Sequence, residues 1–434
     1  GCGRGDAEKG AEQGKVAGRA ASRTAKQSLR AASEARRSGD LDAAWELVGQ
    51  VLIASPNDAG ALRLAAEILR DRGELRDAAE LAHRAVDADP SIAAAMMLTA
   101  FDCHLRSQQY EAAERDLRRA VEISPQSAQA HRYLAQLLNA QGRRHEASRH
   151  VVELIRLRDV ERNELLSLID RRGPFNLANF DEIIDKDAVS LFSLGDLRFR
   201  YVGPRAPPDE QLDRIASIIQ AFPGSTAAAA YRCRVLADHD RFDQLQATLN
   251  ELPSGIQEQP EYWYSIGALL AYQDQHPEAI RAFAEAIRRD PTDRESLRLM
   301  IGSFNLMQRT EEVAGLRERL GELDQVFRYA RKADREQALE ISRVLNSHVR
   351  PWESAAWLMH AQRESSHPQQ VIQELNRRHA TISQWEQSSS FDQRQQARLL
   401  KLLGFQVDRW PIPDLNSLAV RDRPVETQPE AVGL

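Results

Sequence analysis

Apolar residues recur along most of the chain at the three- and four-residue spacing of an α-helix, and the stretches come in pairs. The pair that ends at Pro90 has its apolar positions at Leu62, Ala65, Ala66 and Leu69, then at Ala78, Ala82 and Ala85. Proline cannot donate a helical hydrogen bond and it restricts the residue before it, so Pro90 predicts the end of the second helix. The pattern therefore predicts helical hairpins. Strand-like alternation is almost absent, and its nearest instance, Leu197–Val202, predicts an extended connector.

The hairpin pattern repeats at a nearly constant interval. Equivalent prolines occur at Pro56, Pro90 and Pro125, which are 34 and 35 residues apart, and again at Pro291. A period of this length predicts a stack of hairpins, in which each hairpin packs against its neighbours. Such a stack can grow to 434 residues without one enlarged core.

These copies resemble the tetratricopeptide repeat family. The copies begin at Ala25, Ala59, Ala94, Ala128 and Pro260, and the fourth departs from the family by having Asp159 in place of proline. The best copy carries Trp263, Gly267, Ala279, Phe283 and Pro291 at the family's signature positions, and we expect Gly267 to face Ala279 across the hairpin. The resemblance implies an all-α fold, an α-solenoid of helical hairpins; a generic helical bundle is the alternative.

The order of the repeats predicts five segments. These are a flexible N-terminal tether (1–22), a first array (23–158), an irregular insertion or connector (159–209), a second array with degenerate C-terminal repeats (210–404), and a proline-containing linker (405–434). Within the connector, Arg171–Asn176 and Gly203–Pro208 are predicted to be loops. The tail suggests a connector to a further domain.

The chain begins Gly1-Cys2-Gly3, which resembles the start of a mature bacterial lipoprotein. In that family Cys2 would carry the lipid, and the protein would lie in the cell envelope, lipid-anchored or periplasmic. A cloning remnant or a fragment boundary explains the same residues, and the protein would otherwise be cytoplasmic. Repeat arrays with such a start also resemble the N-terminal halves of bacterial surface proteins that continue into an FG-GAP or ASPIC/UnbV β-propeller.

Composition and motifs give no indication of catalysis. The sequence has no glycine-rich phosphate loop, no His-Glu-x-x-His and no Gly-x-Ser-x-Gly, so we expect neither an enzyme nor a cofactor. The histidines of the first array are expected to lie apart on different faces, without a shared metal; they are His83, His104, His131, His145 and His150. The net charge of −6 predicts no nucleic-acid partner, and no apolar run is long enough to span a membrane, which leaves membrane attachment to a lipid on Cys2.

The resemblance places a binding groove on the first helices of the repeats. Its positions in this chain are Arg63, Glu67, Arg70, Asp102, Arg132, Gln136, Asn139, Tyr264 and Tyr272. Arginine can grip carboxylates bidentately, and amide side chains can bond a peptide backbone. We therefore expect a non-enzymatic scaffold that binds a protein or peptide in this groove. Three alternatives stay open: a solvated charged face, a self-assembling structural component, and the accessory half of a larger protein.

Overall fold

The computed structural model describes residues 24–169, 189–190, 192–200, 208–363 and 368–418, and these residues form helices with no strand among them. The predicted all-α solenoid fold is confirmed. The helices are α1 (24–38), α2 (Leu41–Ala54), α3 (Ala59–Arg72), α4 (Leu75–Ala88), α5 (Ala93–Arg106), α6 (Tyr110–Ile123), α7 (Ala128–Ala140), α8 (Arg144–Arg156), α9 (Arg162–Ile169), α10 (Ser193–Arg200), α11 (Pro208–Ala221), α12 (Thr226–Asp238), α13 (Phe242–Thr248), α14 (Pro260–Tyr272), α15 (His276–Arg289), α16 (Arg294–Leu306), α17 (Thr310–Ala330), α18 (Arg335–Ser347), α19 (Pro351–Arg363), α20 (Pro368–Ser388), α21 (Phe391–Leu403) and α22 (Leu415–Leu418).

The predicted helix ends agree with the structure. α2, α4, α6 and α15 each end two residues before a proline, at the four positions where the repeat pattern places one. The residue before proline avoids helical backbone angles, which explains the constant offset. In the fourth copy, which lacks the proline, α8 ends at Arg156 and Arg158 takes a left-handed conformation with φ +59°.

The helices group into two compact units that divide between Leu134 and Ala135, inside α7. In the first unit the hairpins α3–α4 and α5–α6 pack through small residues, and Ala78, Ala82 and Ala85 are fully buried at their predicted positions. Asp58 caps α3 by accepting a hydrogen bond from the backbone N of Ala61 at 2.8 Å, and Gly73 ends the helix with φ +85°. The sequence pattern therefore predicts these hairpins well.

The second unit contains a hairpin that differs in one contact from our expectation. Gly267 of α14 lies against the ring of Phe283 of α15: a Cβ added at Gly267 would be 2.6 Å from the ring carbons. Ala279 is buried but is not among the atoms nearest to that position. Glycine is needed here because a fully buried phenyl ring occupies the space of its missing side chain.

The predicted connector contains two helices that belong to the second unit. α9 packs against α8, and α10 packs against α11. α10 includes Leu197, which is fully buried, so the prediction of an extended connector there is wrong. Its apolar residues alternate with arginine as a strand would, but tertiary contacts override that local preference. Gly195 allows the approach of α10 to α7, because a Cβ at this position would lie 1.9 Å from the carbonyl oxygen of Ala140. The predicted loops 171–176 and 203–207 lie outside the described residues, whereas Pro208 begins α11.

The linker predicted for residues 405–434 does not begin at residue 405. Residues 405–418 pack onto the core of the second unit, with Val407 and Leu418 buried and Trp410 edge-on to Phe304 at a centroid distance of 5.3 Å. Arg281 also donates to the carbonyl oxygen of Val407 at 3.3 Å. Prolines do end the helical pattern in this segment, but its aromatic and aliphatic side chains still bury apolar surface. Residues 419–434 and the predicted tether 1–22 lie outside the described residues.

Long-range hydrogen bonds join α8 and α9 to the C-terminal helices of the second unit. Glu386 of α20 accepts hydrogen bonds from Arg156 of α8 at 2.7 Å and from Trp352 of α19 at 2.8 Å. Arg350, which precedes α19 and is buried, donates to the carbonyl oxygen of Leu168 in α9 at 2.7 Å. Helices α19 and α20 therefore contact α8 and α9.

None of the described helices is both long enough and apolar enough to cross a membrane.

Candidate functional site

The predicted groove residues of the first unit form an ion-pair network on α1 and α3. Arg63 and Glu67 pair along α3 at 3.0 Å, and Glu67 also accepts from Arg36 of α1 at 2.5 Å. Arg36 reaches Asp71 of α3 at 2.6 Å, and Arg70 reaches the same carboxylate at 3.1 Å. The network therefore joins the first helices of two neighbouring repeats.

Arg36 and Asp71 were missed by the sequence reasoning. Arg36 occupies the twelfth position of the copy that begins at Ala25, as Arg70 does in the copy that begins at Ala59, so repeat position alone could have identified it. Burial alone would raise the pKa of Asp71, but the hydrogen bonds from Arg36 and Arg70 outweigh it and lower this pKa below its ordinary value. The carboxylate is therefore held in its charged form.

Two further predicted residues of this face lie on α5 and α7. Asp102 of α5 lies 3.7 Å from Arg106, and both side chains are more than two-fifths exposed. Arg132 of α7 is half-buried. In this unit, Arg63 is 46% exposed and can reach a partner, despite its pairing with Glu67.

The amide residues predicted for the same surface fall in the second unit. Asn139 is 3% exposed, so its prediction as an open groove residue is wrong. Gln136 is half-buried, and its Oε1 accepts no hydrogen bond from the described residues. Both lie on α7 among buried leucines, because neighbouring helices cover more of α7 than the repeat pattern alone indicates.

The predicted aromatic groove around Tyr264 and Tyr272 is not formed. Tyr264 is 6% exposed, its hydroxyl donates to Asp238 at 2.7 Å, and the guanidinium of Arg234 lies 3.3 Å from its ring centroid. Burial raises the pKa of Tyr264. Tyr272 is exposed and stacks on Phe242 at 4.4 Å. The error arises because Arg234 and Asp238 of α12 cover the ring of Tyr264, whereas Tyr272 lies at the end of its helix.

Two histidines that we expected to lie apart meet at one carboxylate. Asp116 of α6 is bonded on one oxygen by His83 of α4 at 2.9 Å and on the other by His104 of α5 at 2.6 Å. Repeat stacking brings the three helices together. Within the described ranges, no cluster of three His, Cys, Asp or Glu side chains has the arrangement of a metal site.

The stacked helical hairpins, with ion-paired side chains on the first helices α1 and α3, define the class of the protein as an α-helical repeat scaffold. Sequence models described as tetratricopeptide repeat match residues 29–93, 104–169 and 260–293. These three segments are therefore tetratricopeptide repeats. Members of this family are generally non-enzymatic scaffolds for protein–protein interaction, and that is the class of function the repeats support here.

Similar solved structures include three proteins of low sequence identity. MamA is 18% identical over 46% of this chain and 95% of its own, with a TM-score of 0.31. A tetratricopeptide repeat protein from Parabacteroides merdae ATCC 43184 is 12% identical over 65% and 99%, with a TM-score of 0.31. The Cut9–Hcn1 hetero-tetramer of APC/C is 12% identical over 87% and 79%, with a TM-score of 0.31. No curated protein matches the chain.

Proposed function

We propose that the protein is a non-enzymatic scaffold that binds a protein or peptide segment on the first-helix face of its first unit. This face comprises Arg36, Arg63, Glu67, Arg70, Asp71, Asp102 and Arg132. The observation that carries the proposal is the ion-pair network between α1 and α3, which holds charged groups of both signs in fixed positions across two repeats.

The energetics of the network favour exchange with a partner. Ion pairs between partly exposed side chains contribute only about 0–1 kcal/mol each, so a partner's carboxylate can replace an internal one at small cost. Arg63 is the best placed, because it is the most exposed of the network cations and pairs only along its own helix. Guanidinium groups favour bidentate contacts with carboxylates.

The balance of charge indicates the kind of partner. Arg36, Arg63 and Arg70 lie beside Glu67 and Asp71, so cations exceed acids by one in the network, and Asp102 adds a further acid on α5. A polyanion such as nucleic acid would face these carboxylates, whereas a segment of mixed charge can pair with both signs. The proposed partner is therefore a protein segment with both acidic and basic residues.

The proposed face is tested by replacing Arg63 and Arg132 together with alanine. A pull-down from the native extract, followed by titration of the captured partner at two salt concentrations, should show binding weakened several-fold and a smaller salt dependence. The matched control is Arg76→Ala with Arg149→Ala, two exposed arginines on second helices, which should leave binding unchanged. Unchanged binding by the Arg63 and Arg132 variant would place the partner elsewhere.

We also propose that Cys2 carries a lipid that anchors the chain in a bacterial cell envelope. The support is the Gly1-Cys2-Gly3 start; the residues themselves lie outside the described part of the chain. The native protein should partition into detergent, and Cys2→Ser should move it to the soluble fraction. Mass spectrometry that finds an unmodified Gly1-Cys2 peptide in the native protein would rule the anchor out.

A further inference from the structure

An open furrow lies between α4 and α6, away from the proposed first-helix face. It has a volume of about 540 Å³, and its lining includes His83, Val86, Asp87, Met97, Arg115 and Asp116. α4 and α6 are the second helices of two neighbouring repeats, whereas the proposed face uses first helices. The furrow, which we call the α4–α6 furrow, is large enough for small groups of side chains.

The furrow has an apolar floor between two charged walls. Val86 and Met97 pack in one hydrophobic cluster, in which Met97 is buried and Val86 is half-buried. Arg115 projects from α6, and Asp87 projects from α4; both are exposed. Neither makes an ion pair within 4 Å with any residue that the structure describes, although the charge of Asp87 helps to raise the pKa of His83 one turn earlier on α4.

The remaining charges of the furrow are already matched. Asp116 is held by His83 and His104. Arg118 pairs with Glu114 at 2.8 Å, and Arg119 pairs with Glu122 at 3.1 Å. One cation on the α6 wall and one anion on the α4 wall are therefore left to meet a ligand, on opposite sides of an apolar floor.

We propose that the α4–α6 furrow is a second interaction surface, which binds a partner segment with a basic, an apolar and an acidic side chain in succession. The acidic side chain pairs with Arg115, the basic one pairs with Asp87, and the apolar one covers Val86 and Met97. Charge complementarity across the furrow selects this occupant over a uniformly acidic segment, which Asp87 would repel. The surface is independent of the proposed first-helix face.

The chain offers a direct probe of this furrow, because it contains only five methionines and Met97 lies in the furrow floor. The protein is labelled with ¹³C at the methionine methyl groups and titrated with a 12-residue peptide that carries Lys-Leu-Glu between Gly-Ser flanks. The Met97 signal is identified by its loss in Met97→Leu. We expect this signal to shift and saturate, while Met300, Met307 and Met359 of the second unit do not move.

Charge reversal then tests the pairing. Arg115→Glu should weaken binding of the Lys-Leu-Glu peptide about fivefold or more, and a Lys-Leu-Lys peptide should recover binding to that variant. Arg76→Glu, an exposed charge reversal on α4 outside the furrow, is the matched control and should bind like the parent. A Met97 signal that stays in place overturns the proposal, as does a shift that persists unchanged in Arg115→Glu. Loss of the shift in the Arg63 and Arg132 double variant also overturns it, because the peptide would then lie on the first-helix face.

Discussion

Arg234 and Asp293 form a buried ion pair between two repeats of the second unit. The Nη1 atom of Arg234 on α12 lies 3.2 Å from Oδ2 of Asp293, and the two side chains are 6% and 3% exposed. Asp293 also caps α16 by accepting hydrogen bonds from the backbone N of Glu295 and of Ser296. Arg234 covers the ring of Tyr264 on the intervening first helix. One guanidinium thus links three successive repeats.

Removal of the charge on Asp293 should therefore be costly. Asp293→Asn keeps a side chain that can cap the helix but removes one of the two carboxylates that pair with the buried Arg234, while Asp238 remains at 3.1 Å. The expected loss in unfolding free energy is about 1–3 kcal/mol. Denaturant unfolding followed by circular dichroism measures the change. The matched control is Asp334→Asn, an exposed cap of α18, which should lose less than about 0.5 kcal/mol because asparagine caps nearly as well. Equal effects at the two caps would contradict a special role for the buried pair.

Gly267 and Gly302 offer a comparison of two helical glycines in different surroundings. Gly267→Ala places a Cβ 2.6 Å from the buried ring of Phe283, and overpacking of this kind costs about 1–3 kcal/mol. No atom lies within 4 Å of the corresponding Cβ position at Gly302 of α16, so Gly302→Ala should gain about 0.5–1 kcal/mol from helix propensity. The melting temperatures of the two variants should move in opposite directions from that of the parent. A parallel gain in both would mean that Phe283 can move aside.

The contact between His83 and Asp116 should make stability depend on pH. The hydrogen bond with Asp116 raises the pKa of His83 above its usual 6.5. Burial opposes this shift, and the charges of Asp116 and Asp87 add smaller contributions that raise the pKa. A raised histidine pKa stabilises the fold below pH 6.5, and this contribution is lost as the pH rises through the folded value.

His83→Gln keeps a hydrogen-bond donor but cannot titrate, so the stability difference between parent and variant should favour the parent most in acid and shrink as the pH rises above 6.5. Urea unfolding at several pH values measures this difference, and subtraction removes other titrating groups, including His348, whose pKa is lowered by burial. A difference that stays constant with pH would show that His83 does not carry the dependence.

The segment after α21 should contribute to stability as part of the second unit. Trp410 contacts Phe304 and Phe405 edge-on, at centroid distances of 5.3 and 6.0 Å. Trp410→Ala should lower the unfolding free energy by about 1–3 kcal/mol, because the side chain is only half-buried. Ile412→Ala, which removes an exposed side chain two residues away, should change stability by less than about 0.5 kcal/mol. A Trp410→Ala variant as stable as the parent would indicate that this segment adds nothing to the stability of the second unit.

The sequence determined the helical hairpins, because their causes are local. Apolar spacing places Ala78, Ala82 and Ala85 on one buried face, and each repeat-ending proline stops its helix two residues earlier. Repeat position also placed Arg63, Glu67 and Arg70 together on α3, and the same reasoning extends to Arg36. The apolar spacing recurs in every copy and the proline in four of the five, so a single chain contains several observations of each.

Only the tertiary structure decided which of the other predicted groove positions are exposed to solvent. Tyr264 and Asn139 occupy groove positions in the repeat pattern but are buried, because side chains from neighbouring helices cover them. The meeting of His83 with His104 at Asp116 depends on how two repeats stack, and no spacing along one helix encodes it. The helical form of Ser193–Arg200 likewise comes from contacts with other helices, of which the close approach of Gly195 to Ala140 is one. Burial and pairing at these sites are set by residues far away in sequence, and that is the information a local pattern lacks.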